Sequence, residues 1–188
     1  MPDHAASIEP QPTLVGERVM LRPWTSMDID GVFVSCQDPE IQRWTEVPRP
    51  YAWEHAQQFV DEVAPKSWAA GEGALFAVVN MTDLQVVGSM SVVRFNQGVA
   101  AIGYWTARQS RERGLTTAAL RLLTRWCICE RGSARVELEI EDTNAPSRRV
   151  AVNAGFFLEG TLRQRHVLNG QRIDVVMYSC LASEGSFL

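Results

Sequence analysis

The chain has 188 residues, 46% hydrophobic and 21% charged, a balance that supports one packed domain and excludes a disordered chain. Eighteen basic against twenty-two acidic residues leave a net charge of −4, so no overall basic footprint for duplex nucleic acid exists. No apolar run reaches the ~18 residues of a membrane span, and the start, Met1-Pro2-Asp3-His4, lacks the basic and apolar pattern of a secretory signal.

Residues 1–13, with three prolines, read as a flexible arm, and 14–188 as one domain. Arg18–Arg22 alternates weakly and stops at Pro23, which suits a short strand. Ser26 is placed to cap a helix that starts near Met27 and stops at Pro39. Residues 40–51 read as loop, and Ala52–Ala69 as a second helix with Pro65 as a possible breaker. Leu75–Val79, Val86–Phe95 and Val99–Thr106 read as three consecutive antiparallel strands, joined by turns at Asn80–Asp83 and Asn96–Gly98.

Leu115, Ala118, Ala119, Leu122, Leu123 and Trp126 fall on one helical face, and Gly132 supplies a stop. Arg135–Glu141 alternates strictly, with Val136, Leu138 and Ile140 on one side and Glu137, Glu139 and Glu141 on the other. Ala145–Ala154 reads as a short helix closed by Gly155. Phe156–Leu162 and Ile173–Leu181 close the chain as strands, with a turn at Asn169-Gly170. The class is α/β, of the α+β kind.

The cysteines Cys36, Cys127, Cys129 and Cys180 form no CxxC pair, and the histidines are His4, His55 and His166. No zinc-ligand spacing results, so no metal is expected; free thiols point to a reducing, cytoplasmic setting.

The most informative stretch runs from Arg108 to Ala118, between a strand and the best helix. A helix start offers unpaired N–H groups and a positive dipole end, which together bind phosphate. Gly114 allows close backbone approach, Thr116 and Thr117 add hydroxyls, and Arg108, Arg111 and Arg113 raise the local potential. The patterns GxxxxGK[ST] and GxGxxG are absent, which argues against a P-loop nucleotidase and leaves a dinucleotide fold without support.

Arg111-x-x-Gly114-x-Thr116, between strand and helix, resembles the acetyl-CoA loop of the GNAT acetyltransferases, with Thr116 departing from the family's small residue. Asn144-Ala-Pro-Ser147 followed by Gly155-Phe156 resembles the family's next segment. Glu159-Gly160, Asn169-Gly170, Asp174 and the opening run Gly16–Trp24 are similar to its RimJ/RimL-type branch. The resemblance covers roughly residues 14–181. It implies a mostly antiparallel, mixed seven-stranded sheet, splayed between its two middle strands and flanked by about four helices.

The resemblance further implies that acetyl-CoA lies in the splay. Its pyrophosphate would meet the loop from Arg111 through Glu112, Arg113, Gly114, Leu115 and Thr116 to Thr117. Its pantetheine would pair with the backbone at Tyr104, Trp105 and Thr106, with Asn144 holding the other side. Direct attack by a primary amine on the thioester is the expected reaction, on a protein N-terminus or a small molecule. An α-amine, with a pKa of about 7.7–8.0, is roughly a tenth neutral at pH 7, so it needs little help from a base.

Two carboxylates are candidates for that help. The resemblance points to Glu159, and strand alternation adds Glu141, with Glu139 and Glu141 as an acidic funnel for a cationic amine. The tyrosine that many relatives use as acid is replaced by Ala151; the resemblance suggests Ser147 instead, and Tyr104 is a second phenol near the gap. Trp44 is a candidate for acceptor binding. The family allows a homodimer. A non-catalytic acyl-CoA-binding or regulatory module on the same fold is the alternative.

Overall fold

Alternating apolar residues lay the chain into a single mixed sheet in a computed structural model that describes residues 9–184. Among these residues there are eight strands: β1 (Leu14–Val15), β2 (Val19–Pro23), β3 (Ala74–Asn80), β4 (Val86–Asn96), β5 (Val99–Thr106), β6 (Arg135–Glu141), β7 (Phe157–Leu168) and β8 (Gln171–Leu181). Their order is β1-β2-β3-β4-β5-β6-β8-β7, and only the β5–β6 pair is parallel. The strand beyond the expected seven is β1, which pairs Leu14 with Leu21 and Val15 with Met20. Two residues are too few to leave a periodic signal.

Each face of the sheet has its own core. On one face, α5 (Leu115–Cys129) and α6 (Ala145–Ala154) bury Leu120, Leu123 and Ala151 against Phe76, Met90, Val136 and Leu138. Truncating a leucine in such a site costs about 2–5 kcal/mol, so this layer holds the sheet's shape. On the other face, Trp24 and Ala77 pack with α1 (Ile29–Cys36), α2 (Pro39–Trp44), α3 (Trp53–Gln58) and α4 (Ala64–Ala69). Asp28, just before α1, accepts both guanidinium nitrogens of Arg22 at 2.7 and 2.8 Å. That pair ties this helical layer to β2.

More helices form than the expected four. Residues 40–44, read as loop, are helical because Pro39, read as a stop, sits at the first helical position and Asp38 caps the end, accepting from the Glu40 N–H at 2.8 Å. The expected Ala52–Ala69 helix is present as α3 and α4, with the π-helical turn Phe59–Val63 between them. This wide turn directly precedes Pro65, which cannot donate to an α-helical ladder.

The arm expected over residues 1–13 falls in two parts. Residues 1–8 lie outside the described residues. Residues 9–13 are held, with the Trp68 indole donating to the Glu9 carbonyl at 2.7 Å and the Gln11 amide to the Leu75 carbonyl at 3.0 Å.

Candidate active site

β5 and β6 are paired only from Val99↔Arg135 to Ala101↔Glu137. Beyond that point the two strands part, so Ile102–Thr106 and Leu138–Glu141 border a gap in the middle of the sheet. Backbone groups on both rims need hydrogen-bond partners, and an extended, amide-bearing chain is the kind of ligand that supplies them. Tyr104, Trp105 and Thr106 lie on one rim. Trp105 stacks on Trp24 at 6.4 Å on one face of the sheet, while Tyr104 points to the α6 face.

At the end of this rim the chain turns through Arg108–Ser110 into the loop before α5. Gly114 caps α5 with φ +72, a left-handed conformation that side chains resist, and supplies no side-chain cap. The first-turn N–H groups of α5 are therefore left to a ligand. A Cβ on Gly114 would stand 3.1 Å from the guanidinium of Arg18, which itself donates to the Arg113 carbonyl at 2.8 Å. Arg111 donates to the Thr106 carbonyl at 3.2 Å and forms an ion pair with Asp38 at 2.8 Å. Thr106 and Thr116 share a hydroxyl contact of 2.7 Å. Glu112, with φ +60, and Arg113 are exposed; Thr117 is half-buried, and Leu115 is buried as the first core residue of the helix. This arrangement of glycine, open helix end and three nearby arginines fits a pyrophosphate.

α6 closes the other side of the gap. The Asn144 side chain caps it, accepting from the Ser147 N–H at 3.1 Å, so its oxygen is committed to the helix and only its NH₂ remains for a ligand. The Ser147 hydroxyl lies 2.8 Å from the Tyr104 hydroxyl. Burial pushes the Tyr104 phenol up to about 12, partly offset by that contact, so it stays protonated and able to donate. Ala151 is fully buried in the core, where a phenol has no room. Tyr104 thus brings a phenol to Ser147 from the opposite wall.

The structure separates the acidic candidates. Glu159 is held by Arg135 through two contacts of 2.6 and 2.8 Å and also accepts from the Ser179 hydroxyl. The Arg135 hydrogen bonds, then that of Ser179, hold its carboxyl down at about 2. Arg135 begins β6, in its paired section, so the Glu159 carboxylate is engaged by a guanidinium and a hydroxyl.

The three glutamates of β6 do share one face, opposite to buried Val136, Leu138 and Ile140. Glu137 is taken up by Arg94 and Arg135, each at 3.1 Å. Glu139 meets Arg165 at 3.2 Å and His166 at 2.6 Å. The carboxylate of Glu141, on the parted section of β6, accepts only from the Thr143 hydroxyl, at 2.9 Å, among the described residues. As a histidine in an exposed strand, His166 gives no local sign of a partner 27 positions away on β6.

Trp44 ends α2, with its indole donating to Glu40 at 3.0 Å and the Arg43 guanidinium 4.3 Å over its ring. The Asp38–Arg111 pair joins the start of α2 to the phosphate loop. Cys36, Cys127 and Cys180 are buried and Cys129 is exposed, all as free thiols; burial pushes Cys127 up to about 12. Among the described residues no group of three or more His, Cys, Asp or Glu is placed to hold a metal, and no helix is long and apolar enough to cross a membrane.

Comparison with known proteins agrees with this geometry. The family model for the acetyltransferase (GNAT) domain matches residues 18–157. The uncharacterized N-acetyltransferase p20 of Bacillus licheniformis is 28% identical over 177 residues, covering 92% of this chain and 97% of its own. The ribosomal-protein-serine acetyltransferase of Escherichia coli is 28% identical over 109 residues, covering 58% of this chain and 61% of its own. Among solved structures, RimJ of Mycobacterium smegmatis in complex with CoA-disulfide superposes with a TM-score of 0.82 at 23% identity, over 93% of this chain and 89% of that one.

Proposed function

The chain belongs to the GNAT acetyltransferase family, in its RimJ/RimL-type branch, and from that premise we propose that it moves the acetyl group of acetyl-CoA to the α-amine of a protein or peptide N-terminus. The observation that carries this reading is the parted β5–β6 edge flanked by an open helix end on one side and the Tyr104–Ser147 pair on the other. The loop Arg111–Thr117 receives the pyrophosphate. The backbone of Tyr104–Thr106 and the Asn144 amide receive the pantetheine. The reacting thioester lies toward Ser147.

The chemistry needs a neutral amine and a protonated leaving group. The amine lone pair attacks the thioester carbonyl carbon, and the C–S bond breaks as the tetrahedral adduct collapses. Ser147 hands its hydroxyl proton to the departing sulfur, and the Tyr104 hydroxyl holds Ser147 in place for it. The acidic face of β6, with Glu141 free of arginine, draws the cationic amine to the opposite side of the gap. An α-amine fits this site better than a lysine. Roughly a tenth of the former is neutral at pH 7, against about one in 2,500 of the latter.

A protein acceptor is further supported by the E. coli relative, which is named for acetylating a ribosomal protein. The Ser147–Tyr104 pair favours turnover over a binding module without activity. The test is incubation with acetyl-CoA and a panel of free-N-terminal peptides, amino sugars and polyamines, read by CoA release. Release with the peptides supports the reading; release only with a small amine reassigns the acceptor.

A further inference from the structure

The geometry points to His166, oriented by Glu139, as the base that removes the proton from the incoming amine. The inference rests on the acetyl-transfer reading above and adds to it a base for the amine.

β7 carries a register break between Leu162 and His166, where Gln164 takes φ +51. The break is fixed from β8: the Gln164 N–H donates to the Asp174 carboxylate at 2.7 Å, and Arg172 donates to the Gln164 carbonyl at 3.2 Å. Such bulges re-aim side chains. Here the result is that His166 reaches past β8 to β6, with Nε2 at 2.6 Å from the Glu139 carboxylate. Glu139 is nearly enclosed, at 12% side-chain exposure, while His166 is open to solvent at 47%. That is the arrangement of a fixed carboxylate presenting a solvent-facing imidazole.

With Nε2–H donating to Glu139, the second ring nitrogen, Nδ1, is left as an acceptor. A carboxylate behind an imidazole fixes the tautomer and stabilises the imidazolium once the proton is taken. Glu139 lies on the parted section of β6, on the face opposite to α6. The base therefore stands on one side of the gap, toward the incoming amine, and the Ser147 donor on the other, toward the departing sulfur.

The charged surroundings are mixed. Arg165, on the same strand, shares Glu139 with His166 at 3.2 Å. Glu137 and Glu141 flank Glu139 on its face, and Arg172 and Asp174 stand on β8. Glu137 is neutralised by two arginines, which leaves Glu141 to hold the ammonium group while His166 takes its proton.

The protons balance. Of the three on the ammonium nitrogen, one passes to Nδ1 of His166 before attack, and from there to water. One stays on the amide. The third leaves the nitrogen as the C–S bond breaks, and replaces the proton that Ser147 gives to the sulfur. In this scheme His166 is a catalytic residue and Glu139 a positioning residue.

The experiment is a pH–rate profile of the wild type, His166→Gln and Glu139→Gln with one N-terminal peptide, with acetyl-CoA affinity measured alongside by calorimetry. At pH 7, His166→Gln is expected to lower kcat about 10²-fold, the lower end for general-base catalysis, with acetyl-CoA affinity unchanged. The deficit shrinks as pH rises above about 8, where the α-amine loses its own proton. Glu139→Gln gives a smaller loss with the same trend, and added imidazole restores part of the rate of His166→Ala at pH 7. A His166→Gln enzyme at wild-type rate, or a deficit that does not change with pH, overturns the dyad and leaves acetyl transfer standing. A wild type that binds acetyl-CoA yet acetylates no amine overturns the transferase reading and the dyad with it.

Discussion

The Tyr104 hydroxyl lies 2.8 Å from the Ser147 hydroxyl, joining the rim of β5 to the first turn of α6 across the mouth of the gap. The contact places a buried phenol behind a serine that has room to meet a ligand. Ser147→Ala is expected to lower kcat at least tenfold with little change in acetyl-CoA affinity. Tyr104→Phe removes the orienting hydroxyl and is expected to cost less. Equal rates in Ser147→Ala and the wild type, in steady-state assays, clear the serine of the donor role.

Gly114 is expected to tolerate no branched side chain. The left-handed conformation costs a non-glycine residue roughly 1–2 kcal/mol, and the new Cβ would crowd the Arg18 guanidinium at 3.1 Å. Gly114→Val should weaken acetyl-CoA about tenfold by calorimetry. Unchanged affinity would remove the pyrophosphate from this loop.

Asp38 both caps α2 and faces Arg111. The two roles separate by substitution. Asp38→Ala loses both and is expected to cost about 1 kcal/mol, the usual value of a lost cap. Asp38→Asn keeps a capping oxygen and loses only the charge of the ion pair, whose carboxylate is 9% and guanidinium 32% exposed, and is expected to cost less than Asp38→Ala. Urea unfolding measures both; equal losses would mean that the charge, not the cap, holds α2.

Glu159 gives a pH signature of stability. Arg135 and then Ser179 lower its carboxyl from 4.5 to about 2. Because the folded value is the depressed one, its contribution is complete above about pH 4.5 and is lost as pH falls toward 2. Glu159→Gln is therefore expected to be less stable than the wild type at pH 7, with the gap closing between pH 4.5 and 2. The same variant should keep its kcat at pH 7, since the carboxylate is already engaged by Arg135 and Ser179. A large loss of kcat with stability intact would return Glu159 to the active site.

Elements with strong periodicity were legible in the chain itself. β5, β6 and α6 form over the residues that alternation, helical spacing and Gly155 indicated, because each buries one regular face. α2 was not legible: Pro39 was read as a stop, whereas with Asp38 before it proline starts a helix. The phosphate loop was legible because it is local, with glycine, arginines and hydroxyls inside a few residues. The partners of the acid–base candidates were not, because they lie far along the chain. Nothing beside Glu159 announces Arg135, 24 positions earlier, and nothing beside His166 announces Glu139. Tyr104 read as a phenol near the gap, but only the fold sets it against Ser147, 43 positions later.

The central claim is acetyl transfer to an α-amine in the gap between β5 and β6. Its most direct test offers the protein acetyl-CoA and one peptide that carries both a free N-terminus and an internal lysine, and maps the product by tandem mass spectrometry. A single acetyl group on the α-nitrogen is the predicted result. Acetylation of the lysine alone, or none at saturating acetyl-CoA, would contradict it.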